Sequence, residues 1–151
     1  MLMKQVYLII LIFFYSHTLS AEEDISYLEI ESDELIITEN PLVSEFIGNV
    51  YAKNQDNQFW GDTVLVNYDN DKKINLITAV GNVIIEREEE KIIGNKAIYN
   101  LKSEKIIISG NVSVFRDGNI LNGSELTMDL ITSISIIKGN NKKQVSAKVI
   151  E

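Results

Sequence analysis

The chain has 151 residues, 45% of them hydrophobic, and a formal net charge of −8. That is one domain's length, and the acidic balance argues against a nucleic-acid partner, which needs clustered Lys and Arg to neutralise phosphates. There is no Cys, so a disulfide, a thiolate metal site and a Cys nucleophile are all excluded.

The first element is a leader. Lys4 precedes an apolar run from Val6 to Tyr15, and small residues end it at Ser20-Ala21. The run is short of the ~20 residues that span a bilayer. Residues 1–21 are therefore expected to be a cleavable signal peptide, cut after Ala21, or alternatively after Ser20. The competing reading is an uncleaved inner-membrane anchor. Residues 22–151 form a single exported domain, with the periplasm as its expected location. With Lys4 set aside, 13 basic residues face 22 acidic ones, a balance of −9. His17 is the one His and falls in the leader. The exported domain thus has neither His nor Cys, a Ser-His-Asp triad is impossible, and no metal or cofactor is expected.

Beyond the leader the chain is organised by repeats. Gly-Asn-Val occurs at 48–50, 81–83 and 110–112, and Gly139-Asn140-Asn141 is a degenerate fourth copy. A second Gly follows 13 residues after each of the first three, at Gly61, Gly94 and Gly123. Gly94 to Gly110 and Gly123 to Gly139 are both 16 residues, whereas Gly61 to Gly81 is 20, which predicts a four-residue insertion around Asp69 to Lys73. Ser32-Asp33-Glu34-Leu35 aligns with Gly61-Asp62-Thr63-Val64 as a half copy, giving about three and a half units.

Each unit reads as strand. Apolar residues alternate around every Gly-Asn-Val (Phe46, Val50 and Ala52; Ala79, Val83 and Ile85; Ile108, Val112 and Val114). They alternate again after every second Gly (Val64, Val66 and Tyr68; Ala97, Tyr99 and Leu101; Leu126, Met128 and Leu130). Period two puts each set on one face of a sheet. Asp117-Gly118 predicts a tight hairpin, and 54–57, 69–72 and 88–90 read as polar loops. Gly within strands marks bends, bulges or close backbone approach. The acidic run Glu86 to Glu90 reads as a solvated hairpin tip. Asp33, Asp62 and Asp129 recur along the repeats and are read as structural, bonding a turn or a neighbouring strand. Trp60, the single Trp, reads as packing or a rim anchor, with ligand contact as the alternative.

Taken in order, Ile30-Glu-Ser-Asp33, Phe46-Ile-Gly-Asn-Val50, Gly61-Asp62, Ala97-Ile-Tyr-Asn-Leu-Lys-Ser103 and Ile108-Ser-Gly-Asn-Val112 resemble the OstA-like domain of lipopolysaccharide transport proteins, most closely its LptA-type soluble members. The resemblance covers about residues 25 to 139. It implies an all-β fold, a twisted antiparallel β-jellyroll with open edges. It also implies a lipopolysaccharide-binding bridge between inner and outer membranes, with the lipid A acyl chains in an apolar groove. Partners would be proteins of the same fold at each end, LptC-like and LptD-like, or further copies stacked head to tail. On this reading the groove is lined by Phe46, Val50, Val64, Val66, Val83, Ile85, Tyr99, Val112, Val114 and Met128. The partner-binding edges carry Leu28 and Ile30 at one end, and Ile134 and Ile136 at the other.

Three other readings compete. One is a membrane-anchored LptC-like component. A second is a polysaccharide-active enzyme using paired carboxylates such as Asp62 and Asp129. The third is a purely structural β-repeat protein.

Overall fold

The computed structural model describes residues 29–53 and 57–150; the expected leader, 1–21, and Leu28 lie outside the described residues. Ten strands make one antiparallel sheet: β1 (Glu29–Glu31), β2 (Glu34–Glu39), β3 (Leu42–Lys53), β4 (Asn57–Tyr68), β5 (Ile74–Arg87), β6 (Glu90–Asn100), β7 (Lys105–Arg116), β8 (Asn119–Asp129), β9 (Ile134–Lys138) and β10 (Ser146–Lys148). The six long strands β3 to β8 form a meander. β1 and β2 share the free edge of β3, and β9 and β10 share the free edge of β8. The sheet does not close on itself.

Each pair of long strands slips register at the bend, and β4 and β5 slip a second time between Asn67 and Tyr68. Between β5 and β6 the pairing passes from Val80 opposite Lys96 to Val83 opposite Gly94. The same step recurs between β7 and β8 at Ser109 and Val112, and between β3 and β4 at Ile47 and Val50. The skipped residues are the Gly-Asn pairs. Gly48, Gly81 and Gly110 have φ of +78°, +83° and +82°, and Asn49, Asn82 and Asn111 follow at +46°, +46° and +48°. Two successive left-handed residues suit Gly and Asn and few others, and the bulge they make bends the strand.

The bulges line up, so the sheet folds over along them into two halves. The β2–β9 half holds residues 42–47, 63–68, 74–80, 96–100, 105–109 and 125–129. The β1–β10 half holds 50–53, 57–60, 83–87, 90–94, 112–116 and 119–123. Inward residues of both halves build one core. Val66, Val83, Ile108 and Val112 are 0% exposed, which a single layer cannot achieve; the halves cover each other. Burying such a side chain is worth about 1.5–3 kcal/mol. The mouth of this V lies between the hairpin tips of the two halves.

Turns follow local chemistry. Asp117 and Gly118 have φ of +51° and +76°, the type I′ pattern expected of Asp-Gly. Asp69 Oδ1 accepts from the N–H of Asp71 and of Lys73, both at 2.9 Å, closing the expected insertion. Glu90, expected in a loop, begins β6 and pairs with Arg87; the tip is only Glu88-Glu89. Leu130, expected as an inward strand residue, sits exposed in a turn. The strand stops there because Asp129 Oδ1 accepts from the N–H of Ile131 and Thr132.

The fourth Gly-Asn departs from the others. Asn140 opens a tight turn, its backbone N–H and C=O exchanging bonds with Lys143 at 2.8 and 3.2 Å. The chain then returns as β10. Lys138 to Ser146 spans eight residues where Ser109 to Ser113 spans four, against the same β8 partners Glu125 and Asn122. Four extra residues therefore replace the bulge with a turn.

Candidate functional site

All ten residues expected to line a groove face inward. In the β2–β9 half, Phe46, Val64, Ala79, Ala97, Ile108, Leu126 and Ile137 form one row across the strands, beside the bend. Nearer the mouth, Ser44, Val66, Ile77, Tyr99, Ile106 and Met128 form a second. In the β1–β10 half, Val50, Val83 and Val112 stand at the bend, and Ile30, Ala52, Phe59, Ile85, Ile92, Val114 and Leu121 make the next row. Eight of the ten are buried, and Ile85 and Met128 are partly buried against the same core. The sequence reading passed over Ile77, Ile92 and Ile106; the same alternation marks them.

The bend is packed closely. Val50, Val83 and Val112 each stand opposite a Gly on the next strand: Gly61, Gly94 and Gly123. A Cβ at Gly94 would come within 2.5 Å of Ile108 Cγ2, and one at Gly123 within 2.6 Å of Ile137 Cγ1. These glycines make room for side chains reaching across from the other half. Outside the bend, Asn49 Nδ2 donates to Asp33 Oδ2 at 2.8 Å, and Asn82 Nδ2 to Asp62 Oδ2 at 2.9 Å. The Asp33 and Asp62 carboxylates also lie where a Cβ on Gly48 or Gly81 would go. Asp33 and Asp62 therefore clamp the bulges. Asp129 does not share that position; it caps its own turn and pairs with Lys105 at 3.4 Å, as Asn100 caps the N–H of Ser103.

Polar groups at the inner face are few. The Ser44 and Tyr68 hydroxyls share a hydrogen bond of 3.3 Å. Burial pushes the Tyr68 phenol above its ordinary pKa against the lowering pull of Ser44. Burial and then the Glu104 carboxylate push Tyr99 up. Both phenols stay neutral, so the face carries no charge there. At the mouth of the β1–β10 half, Arg87, Glu90 and Arg116 stand side by side, with Arg116 paired to Glu90 at 3.0 Å. Among the described residues no group of His, Asp or Glu side chains could hold a metal ion.

The edges are broader than expected. The N-terminal edge includes β2, whose Leu35, Ile36 and Ile37 are exposed; Ile30 in β1 turns inward and half-buried. The C-terminal edge is β9 with β10, not β9 alone. Ile134 and Ile136 face outward on β9 and are exposed, while Ile137 takes the inward place.

A family described as the LptA/(LptD N-terminal domain) LPS transport proteins matches residues 29–134. No curated relative matches the chain. Among solved structures it is similar to LptH from Pseudomonas aeruginosa, described as the LptA-homologous periplasmic component of the conserved lipopolysaccharide transport device. The TM-score is 0.69 at 15% identity, over 82% of this chain and 95% of that one. At that identity the likeness speaks to the fold, the open twisted β-jellyroll.

Proposed function

The chain belongs to the LptA/LptD N-terminal domain family of lipopolysaccharide transport proteins, and from that premise we propose that it carries lipopolysaccharide across the periplasm with the acyl chains held between its two half-sheets. The observation that carries this reading is the inner face. Its row beside the bend, from Phe46 to Ile137, is apolar in every strand from β3 to β9, and among the described residues neither edge of the sheet has a further partner.

The inner face is closed by its own side chains. Residues at the bend are fully buried, and partly buried ones, Tyr68, Ile74, Ile85, Leu101 and Met128, line the way out to the mouth. An acyl chain enters there, and the halves part about the Gly-Asn bend to admit it. Each buried methylene contributes about 0.8 kcal/mol, which offsets the lost contact between halves. The sugar stays in water outside the mouth.

In this reading, residues 1–21 are removed and the domain is a bridge. LptC-like and LptD-like domains, or further copies, continue its sheet by strand addition at the two edges. Intact mass of the exported form tests the cleavage; an uncut leader would make the chain an anchored component of the same pathway. Photo-crosslinking tests the groove. A photoreactive residue at Ile85 or Met128 is expected to label with lipopolysaccharide in cells, and one at the outward neighbours Ile84 or Thr127 is not. Equal labelling at all four positions would sink the groove.

A further inference from the structure

We propose that the outer surface of the β1–β10 half carries a second site, centred on Trp60, that binds a pyranose ring of a saccharide. Trp60 lies between the inward residues Phe59 and Gly61 and so faces away from the core. It is half-buried on the surface, its ring centroid 5.3 Å from that of Tyr51 at an interplanar angle of 34°. Beside it lies an open cleft of about 430 Å³, within the range of small-ligand sites. The inner face makes no use of this side chain.

The cleft combines an apolar floor with fixed polar walls. Trp60 and Ile84 stand opposite each other on β4 and β5 and supply the floor. On one wall the Asp62 carboxylate accepts from Asn82 Nδ2 through both oxygens, at 3.2 and 2.9 Å. On the other, Glu86 Oε1 accepts from Lys91 Nζ at 2.8 Å. Gln58 Oε1 accepts from the Tyr51 hydroxyl at 3.2 Å, leaving its amide N–H groups as donors. These side chains are held by their own partners before any ligand arrives, so little rotamer entropy remains to be lost on binding.

A pyranose matches this chemistry. One face of the ring is a patch of C–H groups that stacks on the electron-rich face of an indole. Its rim is a row of hydroxyls that donate to carboxylates and accept from amides. Two carboxylates against one Lys disfavour a phosphate or another acid and leave a neutral, hydroxyl-rich ligand as the fitting class. The site lies outside the sheet and does not depend on lipid between the halves.

Trp60 is the chain's single Trp, so its fluorescence reports the cleft directly. The exported domain would be titrated with two lipid-free probes. One is a neutral hexose oligosaccharide from the outer core of lipopolysaccharide. The other is chitobiose, standing for the acetamido sugars of the cell wall. At least one is expected to shift the emission saturably. A response to the first alone assigns the site to the cargo's saccharide, and to the second alone assigns it to the wall. By calorimetry, Trp60→Leu should weaken the active probe about tenfold. Trp60→Tyr should keep part of the affinity, and Glu86→Gln should weaken it with the circular dichroism unchanged. No response to either probe, or native affinity in both Trp60→Leu and Glu86→Gln, overturns the site and leaves the groove reading untouched.

Discussion

Gly81 and Gly94 are both absent side chains, but for different reasons, and substitutions separate them. Gly81 has φ +83° and the Asp62 carboxylate over its Cα. Gly81→Ala is expected to cost about 1–3 kcal/mol in urea unfolding, and adding Asp62→Ala should relieve the carboxylate's part of the clash but neither the contact with the Cβ at position 62, at 2.9 Å, nor the backbone strain. Gly94 has no unusual φ; its Cβ would meet Ile108 Cγ2. Gly94→Ala should cost about 1–3 kcal/mol by overpacking. Combined with Ile108→Ala, its cost should fall short of the sum of the two single changes, because the second change vacates the space. Asp129 supplies a pH test. The backbone N–H of Thr132, with the Thr132 hydroxyl and the Lys105 ammonium, holds its carboxyl below the ordinary value. A carboxyl lowered in the folded state contributes stability above the usual carboxylate range and loses it as pH falls through the folded value. Asp129→Ala should therefore lower the urea midpoint at neutral pH, and the two proteins should converge in acid. The 13-residue spacing of the paired glycines is legible in the sequence. Which side chain fills each gap is not, because Ile108 and Ile137 approach from the other half of the fold.

Among the elements, the long strands are legible because one face of each is buried and period two fixes which. Their folding over into two halves is not. A bulge leaves the alternation running on both sides of it; the recurring Gly marks a bend, a bulge or a close approach without choosing among them, and the φ values of Gly48-Asn49 and its equivalents make that choice. The half copy at Ser32-Asp33 marks β2 (Glu34–Glu39), but β10 escapes for a related reason. An edge strand buries little, and a three-residue strand such as β10 carries too few positions to show a period. The turn from Asn140 to Lys143 gives an element-scale prediction. Deleting residues 140–143 restores the spacing seen in β7 and should let β9 run into β10 through a bulge. Stability in urea should change by less than about 1 kcal/mol, as for most surface-loop changes. A loss of several kcal/mol would mean that the turn, rather than the strands, holds β10 in place.

For the whole molecule, the repeat fixes what can follow each edge. β4, β6 and β8 bring Asp62, Asn95 and Ser124 to the bend, as Asp33 does immediately before β2, and β3, β5 and β7 bring Gly-Asn. The N-terminal edge is of the even kind and the C-terminal edge of the odd kind, so the alternation continues if β9 of one copy meets β2 of the next. Carrying over the β3–β4 register places Lys138 opposite the partner copy's Glu34, and Ile136 opposite its Ile36. Lys138→Glu should weaken head-to-tail assembly in sedimentation velocity, and Lys138→Glu with Glu34→Lys should restore it. Cysteines at 36 and 136 should cross-link between copies on oxidation; the absence of both effects would remove this register. The bend also sets a depth. The half-strands run from four to seven residues, most of them five, roughly 17 Å at about 3.3 Å per residue. The hydrocarbon of a bilayer is about 30 Å thick, so a single leaflet is about 15 Å. On the proposed function, a fatty chain drawn from a leaflet would meet a strip about as deep as the layer it leaves, and would lie in it straight, without a fold or an exposed end.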